Sequence, residues 1–156
     1  MYLTTHAPIS LIIGTKIKNP LVSFFVAFAT HFVLDAIPHD PLWQTETSFN
    51  FTITVLTDFI LLFSLLLILN KYRKDILSSV SILSALAGGI MPDVLWGINI
   101  ISPIKFDIIT QYQSFNYWVH AIFYQKMFVS WPLVVIIQGT TLLIGLIVYL
   151  KISKKY

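Results

Sequence analysis

Long apolar stretches separated by short polar turns organise this chain. Pro20–Ile37 is rich in Phe, Val and Ala and stops at Pro38. Ser48–Leu69 is almost wholly aliphatic from Phe59 onward, and Ile76–Ile101 and Trp131–Leu150 are two further apolar runs. A crossing of the hydrocarbon core takes about 20 residues at about 1.5 Å each, which these segments supply or approach. Leu3–Ile17 is apolar after a polar start, Thr4-Thr5-His6, and is short for a full crossing. It is expected to be a tilted, partly inserted or re-entrant helix. Lys16-Ile17-Lys18-Asn19-Pro20 ends it, and Pro20 suits the first turn of the next helix, where a missing N–H costs little.

Two segments break the pattern. Gly88-Gly89-Ile90-Met91-Pro92-Asp93 interrupts Ile76–Ile101, and glycines with a proline at membrane depth predict a kink or break covered by other protein. Ser102–Val129 is less hydrophobic and carries Lys105, Asp107, Gln111, Gln113 and Asn116 among many aromatic residues. Interfacial helices or a cap are expected there, because Trp and Tyr favour the headgroup level. The fold class predicted is all-α: a polytopic transmembrane helix bundle of about four spans, with a short N-terminal helix and an interfacial aromatic cap. Residues 1–156 read as one domain, and the first apolar stretch lacks the basic flank and small-residue cleavage site of a signal peptide.

Composition sharpens this picture. Only 11% of residues are charged, 56% are hydrophobic, and the mean hydropathy is +0.80. Soluble domains carry about a quarter charged residues, so most of this surface is made for lipid. The absence of cysteine excludes disulfides, thiolate catalysis and Cys-type zinc sites, though not zinc itself. The basic residues fall at Lys16/Lys18, Lys71/Arg73/Lys74 and Lys151/Lys154/Lys155. They flank spans as short loops do and make no nucleic-acid groove, so membrane lipid is the expected partner. A multi-pass protein of the cell membrane, with all three clusters and the C-terminus cytoplasmic, satisfies the alternation of spans. The loop 38–47 and the aromatic stretch 102–129 then lie outside.

That orientation makes the ionisable residues one-sided. All four histidines map to the outer half of the bilayer or beyond it, as do six of the seven acids; Asp75 alone joins the inner basic residues. Ionisable groups inside a membrane are costly and usually face a cavity or one another. His31 and Asp35 are i and i+4, on one helix face, with His39 near that face but beyond Pro38. A cation such as zinc or manganese takes imidazole nitrogen and carboxylate oxygen together. The plainer alternative is a His–Asp hydrogen bond at a helix end, with His39 and Asp40 solvated. Asp93 follows glycines that permit close backbone approach, or it caps a helix after a packing kink. Asp58 is the deepest charge; it is either functional or a carboxyl bonded to Thr or Tyr. His6 and His120 read equally well as interfacial residues. No Gly-rich phosphate loop or nucleophile elbow is present, and Ser23, Ser64 and Ser84 have no histidine nearby in sequence.

Thr5-His6, the segment His31-Phe32-Val33-Leu34-Asp35-Ala36-Ile37-Pro38-His39-Asp40, and Gly89-Ile90-Met91-Pro92-Asp93 followed by a later histidine together resemble a known family. It comprises small bacterial inner-membrane proteins described as membrane-bound metal-dependent hydrolases, distantly similar to the all-helical zinc-dependent phospholipase C proteins. The likeness covers roughly residues 4–120 through short motifs. The family commonly shows Asp-x-Asp-His after the proline, where this chain has Asp93-Val94-Leu95-Trp96. The resemblance implies that His6, His31, Asp35, Asp93 and His120 are metal ligands or their immediate support, with His39, Asp40 and Asp58 as secondary candidates.

The function expected is a membrane-embedded, metal-dependent hydrolase. Its divalent ion, zinc with manganese as the alternative, activates water, and Asp58 or Asp40 serves as general base. A site near the outer face points to a phospholipid or lipid-linked phosphate. A proton- or cation-handling membrane protein is the first alternative, since intramembrane Asp and His beside a broken helix also describe an ion path. A catalytically inactive structural protein is the second, and it requires that His31 and Asp35 do not converge with Asp93 or His6.

Overall fold

The computed structural model describes residues 3–37, 48–73, 76–101, 107–124 and 131–153. They form six α-helices, with no strand among the described residues: α1 Leu3–Lys16, α2 Pro20–Asp35, α3 Ser48–Tyr72, α4 Val80–Ile101, α5 Asp107–Tyr124 and α6 Trp131–Ser153. Three of them, over Val55–Tyr72, Val80–Ile98 and Pro132–Ile152, are long and apolar enough to cross a membrane. The second predicted span is shorter: α2 has 16 residues, about 24 Å of helix. Asn19 starts it, its side-chain oxygen accepting the backbone N–H groups of Leu21 at 3.0 Å and Val22 at 3.1 Å, with Pro20 in the first turn.

The central finding concerns α1. The short helix expected to be tilted, partly inserted or re-entrant lies in the middle of the bundle, packed against α2, α3, α4 and α6. Leu3, Thr4, Thr5, His6, Ala7, Pro8, Ser10, Leu11, Gly14 and Thr15 are all buried. Small side chains make this possible, because van der Waals packing in lipid rewards close backbone approach. At Gly14 an added Cβ would sit 2.5 Å from the Ile82 Cα of α4, and at Gly145 it would sit 2.8 Å from Pro8 Cβ. Hydroxyls complete the crossings: Ser81 donates to the Gly14 carbonyl at 3.1 Å, and Ser23 of α2 donates to the Ser81 carbonyl at 2.9 Å.

These contacts fix the directions. The end of α1 meets the start of α4, so the two are antiparallel. The starts of α2 and α4 meet, so those two run parallel. Lys16, Lys71 and Lys151 lie in the last turns of α1, α3 and α6. Near that basic end, the Arg73 guanidinium lies 6.0 Å from the centre of the Tyr149 ring.

The expected break in α4 is absent. The helix is continuous from Val80 to Ile101, through Pro92. Its neighbours explain why. A Cβ on Gly88 would collide with the Phe24 carbonyl of α2, and one on Gly89 would collide with the Ser10 hydroxyl of α1. The glycines therefore serve helix contact. Helix α5 lies against α2 and α4, with Phe32 packed edge-on against Phe115 at 5.6 Å.

Candidate metal centre

Three helices bring four ligand-type side chains to one point: His6 from the second turn of α1, His31 and Asp35 from the last turns of α2, and Asp93 from α4. The i, i+4 pair is realised, with His31 Nε2 at 2.9 Å from Asp35 Oδ2. His6 Nε2 lies 3.3 Å from Asp35 Oδ1 and 3.9 Å from Asp93 Oδ2, and His31 Nε2 lies 3.7 Å from Asp93 Oδ1. The two imidazoles stack with centroids 4.1 Å apart and planes 17° apart. His6, His31 and Asp35 are each 1% exposed, whereas the Asp93 side chain is 21% exposed and forms the open corner.

The α2–α4 contact aims one of the rings. His31 Nδ1 lies 2.8 Å from the Gly89 carbonyl oxygen, which can only accept, so Nδ1 carries a proton. Pro92 weakens the backbone ladder at this turn, having no N–H for the carbonyl of Gly88. With Nδ1 committed, Nε2 faces two carboxylates. A bare lone pair there would be repelled, so the position calls for either a second proton or a metal ion. A backbone carbonyl on the far nitrogen is the arrangement that fixes the tautomer of metal-binding histidines.

The donor types suit a small divalent cation, and one ligand atom each from His6, His31 and Asp93 falls within 4.8 Å of the others. Ligands at tetrahedral to octahedral angles on zinc, with bonds of about 2.0–2.1 Å, stand about 2.9–3.4 Å apart. The Asp35 contacts lie in that range, and the Asp93 contacts to His6 and His31, at 3.9 and 3.7 Å, are longer. His6 Nδ1 and Asp93 Oδ2 are buried without a hydrogen-bond partner among the described residues, and His6 Nε2 and His31 Nε2 face the Asp35 and Asp93 carboxylates. Buried polar atoms are normally paired, so the cluster has capacity for an ion or water.

Asp58 is employed differently. Its carboxylate accepts the backbone N–H groups of Leu3 and Thr4 and the Thr4 hydroxyl, and its own carbonyl accepts Thr4 Oγ1 at 3.2 Å. These N–H groups belong to the first turn of α1, which has no intrahelical partner for them and favours negative charge. Asp58 thus caps α1 from a neighbouring helix, one turn away from His6. His39 and Asp40 lie outside the described residues. His120 falls within α5, and its side chain lies outside them too.

One neighbour was not singled out by its sequence. Tyr112 of α5 presents a buried hydroxyl with no hydrogen-bond partner among the described residues. Burial, reinforced by the negative charges of Asp93 and Asp35, pushes its phenol above the usual range and keeps it a donor. Its ring lies 6.4 Å from that of Phe32, which packs edge-on against His31 at 5.6 Å. Tyr112 sits in a run of aromatic residues whose composition reads as an interface belt, so no local signal separates it from its neighbours. No family model, curated protein or solved structure matches this chain.

Proposed function

We propose that this protein is a membrane-embedded, metal-dependent hydrolase whose divalent ion is held by His6, His31, Asp35 and Asp93. The observation that carries the reading is the convergence of these four side chains from three helices, with ring nitrogens left for a ligand. The motif resemblance adds support, since these four are among the five residues, with His120, that it implies as ligands. Zinc, or manganese, suits the mixed nitrogen and oxygen donors. Such an ion would supply Lewis acidity, activating water and polarising the oxygen of the group attacked.

The protein's own residues do the remaining work. Gly89 holds the His31 ring, and Asp35 spans both histidines. Asp93, at the open corner, offers a carboxylate oxygen that takes the proton of an attacking water. Asp40 is retained as a second candidate base. Asp58 acts through the placement of α1.

Position supports a lipid-borne substrate. The cluster lies away from the basic helix ends: His6 is near the start of α1, which ends at Lys16, and Asp35 is the last residue of α2. With those ends cytoplasmic, it faces the outer leaflet of a multi-pass cell-membrane protein. A phosphoester of a phospholipid or lipid-linked phosphate falls within its reach.

An ion path through the bilayer has less support. Towards the basic end, Leu11, Leu62, Leu69, Ile82 and Leu86 form an aliphatic core. The hydroxyls of Ser10, Ser23 and Ser81 there are committed to backbone carbonyls.

The test is the metal content of detergent-purified protein by elemental mass spectrometry, wild type beside His31→Ala and Asp93→Ala. Near-stoichiometric zinc or manganese, lost from both variants, is expected. Absence of bound metal from folded wild-type protein, even after metal is added back, overturns the hydrolase reading.

A further inference from the structure

The cluster is strongly acidic for a site meant to receive an anionic oxygen. Asp35 and Asp93 flank the two histidines, and a phosphate group approaching them meets repulsion that one divalent ion offsets only in part. A site of this kind needs a hydrogen-bond donor aimed at the incoming oxygen. Tyr112 is a neutral donor beside the cluster, its ring 6.4 Å from that of Phe32, which packs on His31. It comes from α5, which lies against α2 and α4, the two helices that contribute His31, Asp35 and Asp93. Phe32 links the two structures: its ring touches His31 on one side and Tyr112 and Phe115 on the other. The Tyr112 hydroxyl is buried with no hydrogen-bond partner among the described residues, although both carboxylates are near enough for their charge to act on it. A buried phenol normally finds a partner.

We infer that Tyr112 is a substrate-contacting residue whose hydroxyl donates a hydrogen bond to a non-bridging oxygen of a phosphate group held at the His6, His31, Asp35 and Asp93 cluster. The assignment rests on the metal-site reading and extends it to the chemistry of the ligand. The phosphate belongs either to a lipid headgroup or to a free phosphate. The geometry is common to both, because Tyr112 reaches the oxygen and not the group esterified to it. Tyr112→Phe removes the donor and keeps the ring that packs on Phe32, so α5 stays in place.

The experiment uses the full chain loaded with manganese, wild type beside Tyr112→Phe, with metal content measured on both. Binding of inorganic phosphate is read from the paramagnetic relaxation of its phosphorus resonance. A second arm places the protein in nanodiscs of phosphatidylcholine, with and without phosphatidic acid. Equal manganese in both proteins, with phosphate affinity about tenfold weaker in Tyr112→Phe, is the expected result for a lost hydrogen bond to a charged oxygen. An effect confined to the phosphatidic acid arm assigns the ligand to lipid, and one confined to the free anion assigns it to soluble phosphate. No difference between the two proteins in either arm, or no binding of phosphate or phosphatidic acid to wild type, overturns the role of Tyr112 while leaving the metal site standing. Failure of wild-type protein to hold manganese removes both readings together.

Discussion

Replacing Asp58 by Asn separates two roles that the sequence leaves together. As a general base, Asp58 would matter for turnover and little for folding. As the cap on α1, it matters first for stability. The buried carboxylate accepts two backbone N–H groups and one hydroxyl at the start of a helix that is buried along most of its length. Hydrogen bonds to a charged partner contribute about 1.5–3 kcal/mol each. Asn keeps an oxygen for the Thr4 N–H and hydroxyl but turns its NH₂ group towards the Leu3 N–H, so one of the three bonds is lost and the other two become neutral ones. Relief of the cost of burying a charge returns part of that. The expected net loss is about 1–3 kcal/mol. Reversible unfolding of the purified protein in mixed micelles of increasing denaturing detergent measures it. Metal affinity should fall in parallel, because His6 lies on the next turn of α1. A variant that unfolds at the wild-type detergent fraction and keeps its metal, yet loses hydrolysis, would refute the anchoring role and restore Asp58 as a base.

Glycine positions give a paired test. Gly88→Ala drives a methyl group into the Phe24 backbone, which no rotamer change relieves, and should cost about 1–3 kcal/mol in the same unfolding assay. Gly139→Ala, with nothing within 4 Å of the added Cβ, should be neutral or stabilise by up to about 1 kcal/mol. If both behave alike, the α2–α4 contact is looser than described. His6→Ala should lower bound metal as far as His31→Ala does, read by elemental mass spectrometry. Full retention would take α1 out of the site. Ser23→Ala removes the hydroxyl shared with Pro20 and Ser81 and should cost about 0.6–1 kcal/mol of unfolding free energy; a variant as stable as wild type would make that hydroxyl incidental.

The sequence announces the lipid-facing helices because they repeat one property over enough residues to cross a bilayer. It also announces His31 with Asp35, since helical spacing alone makes them neighbours. Helix α1 escapes such reading for a physical reason. A helix buried along most of its length, with only Ile9, Ile12, Ile13 and Lys16 partly or fully exposed, shows small and mixed residues in place of a clear amphipathic pattern, and it is short for a full crossing. Gly88, Gly89 and Pro92 mislead in the same way: they resemble punctuation, but neighbouring helices stabilise the turn they occupy. The meeting of His6 with Asp93 depends on the antiparallel crossing of α1 and α4, which Gly14 and Ser81 set and which no local pattern encodes. Tyr112 is legible only once α5 is laid across α2 and α4.

The burial of α1 also bears on the order of assembly. A segment carrying Thr4, Thr5, His6 and Ser10 has little to gain from lipid on its own, so its docking waits for α2, α3, α4 and α6 to form a slot. One of the histidines therefore arrives with the last piece placed. Incomplete bundles, which every membrane protein passes through during insertion, cannot assemble the cluster. Under the proposed metal reading, metal retention becomes a gauge of completed packing, one that should disappear before the outer helices part.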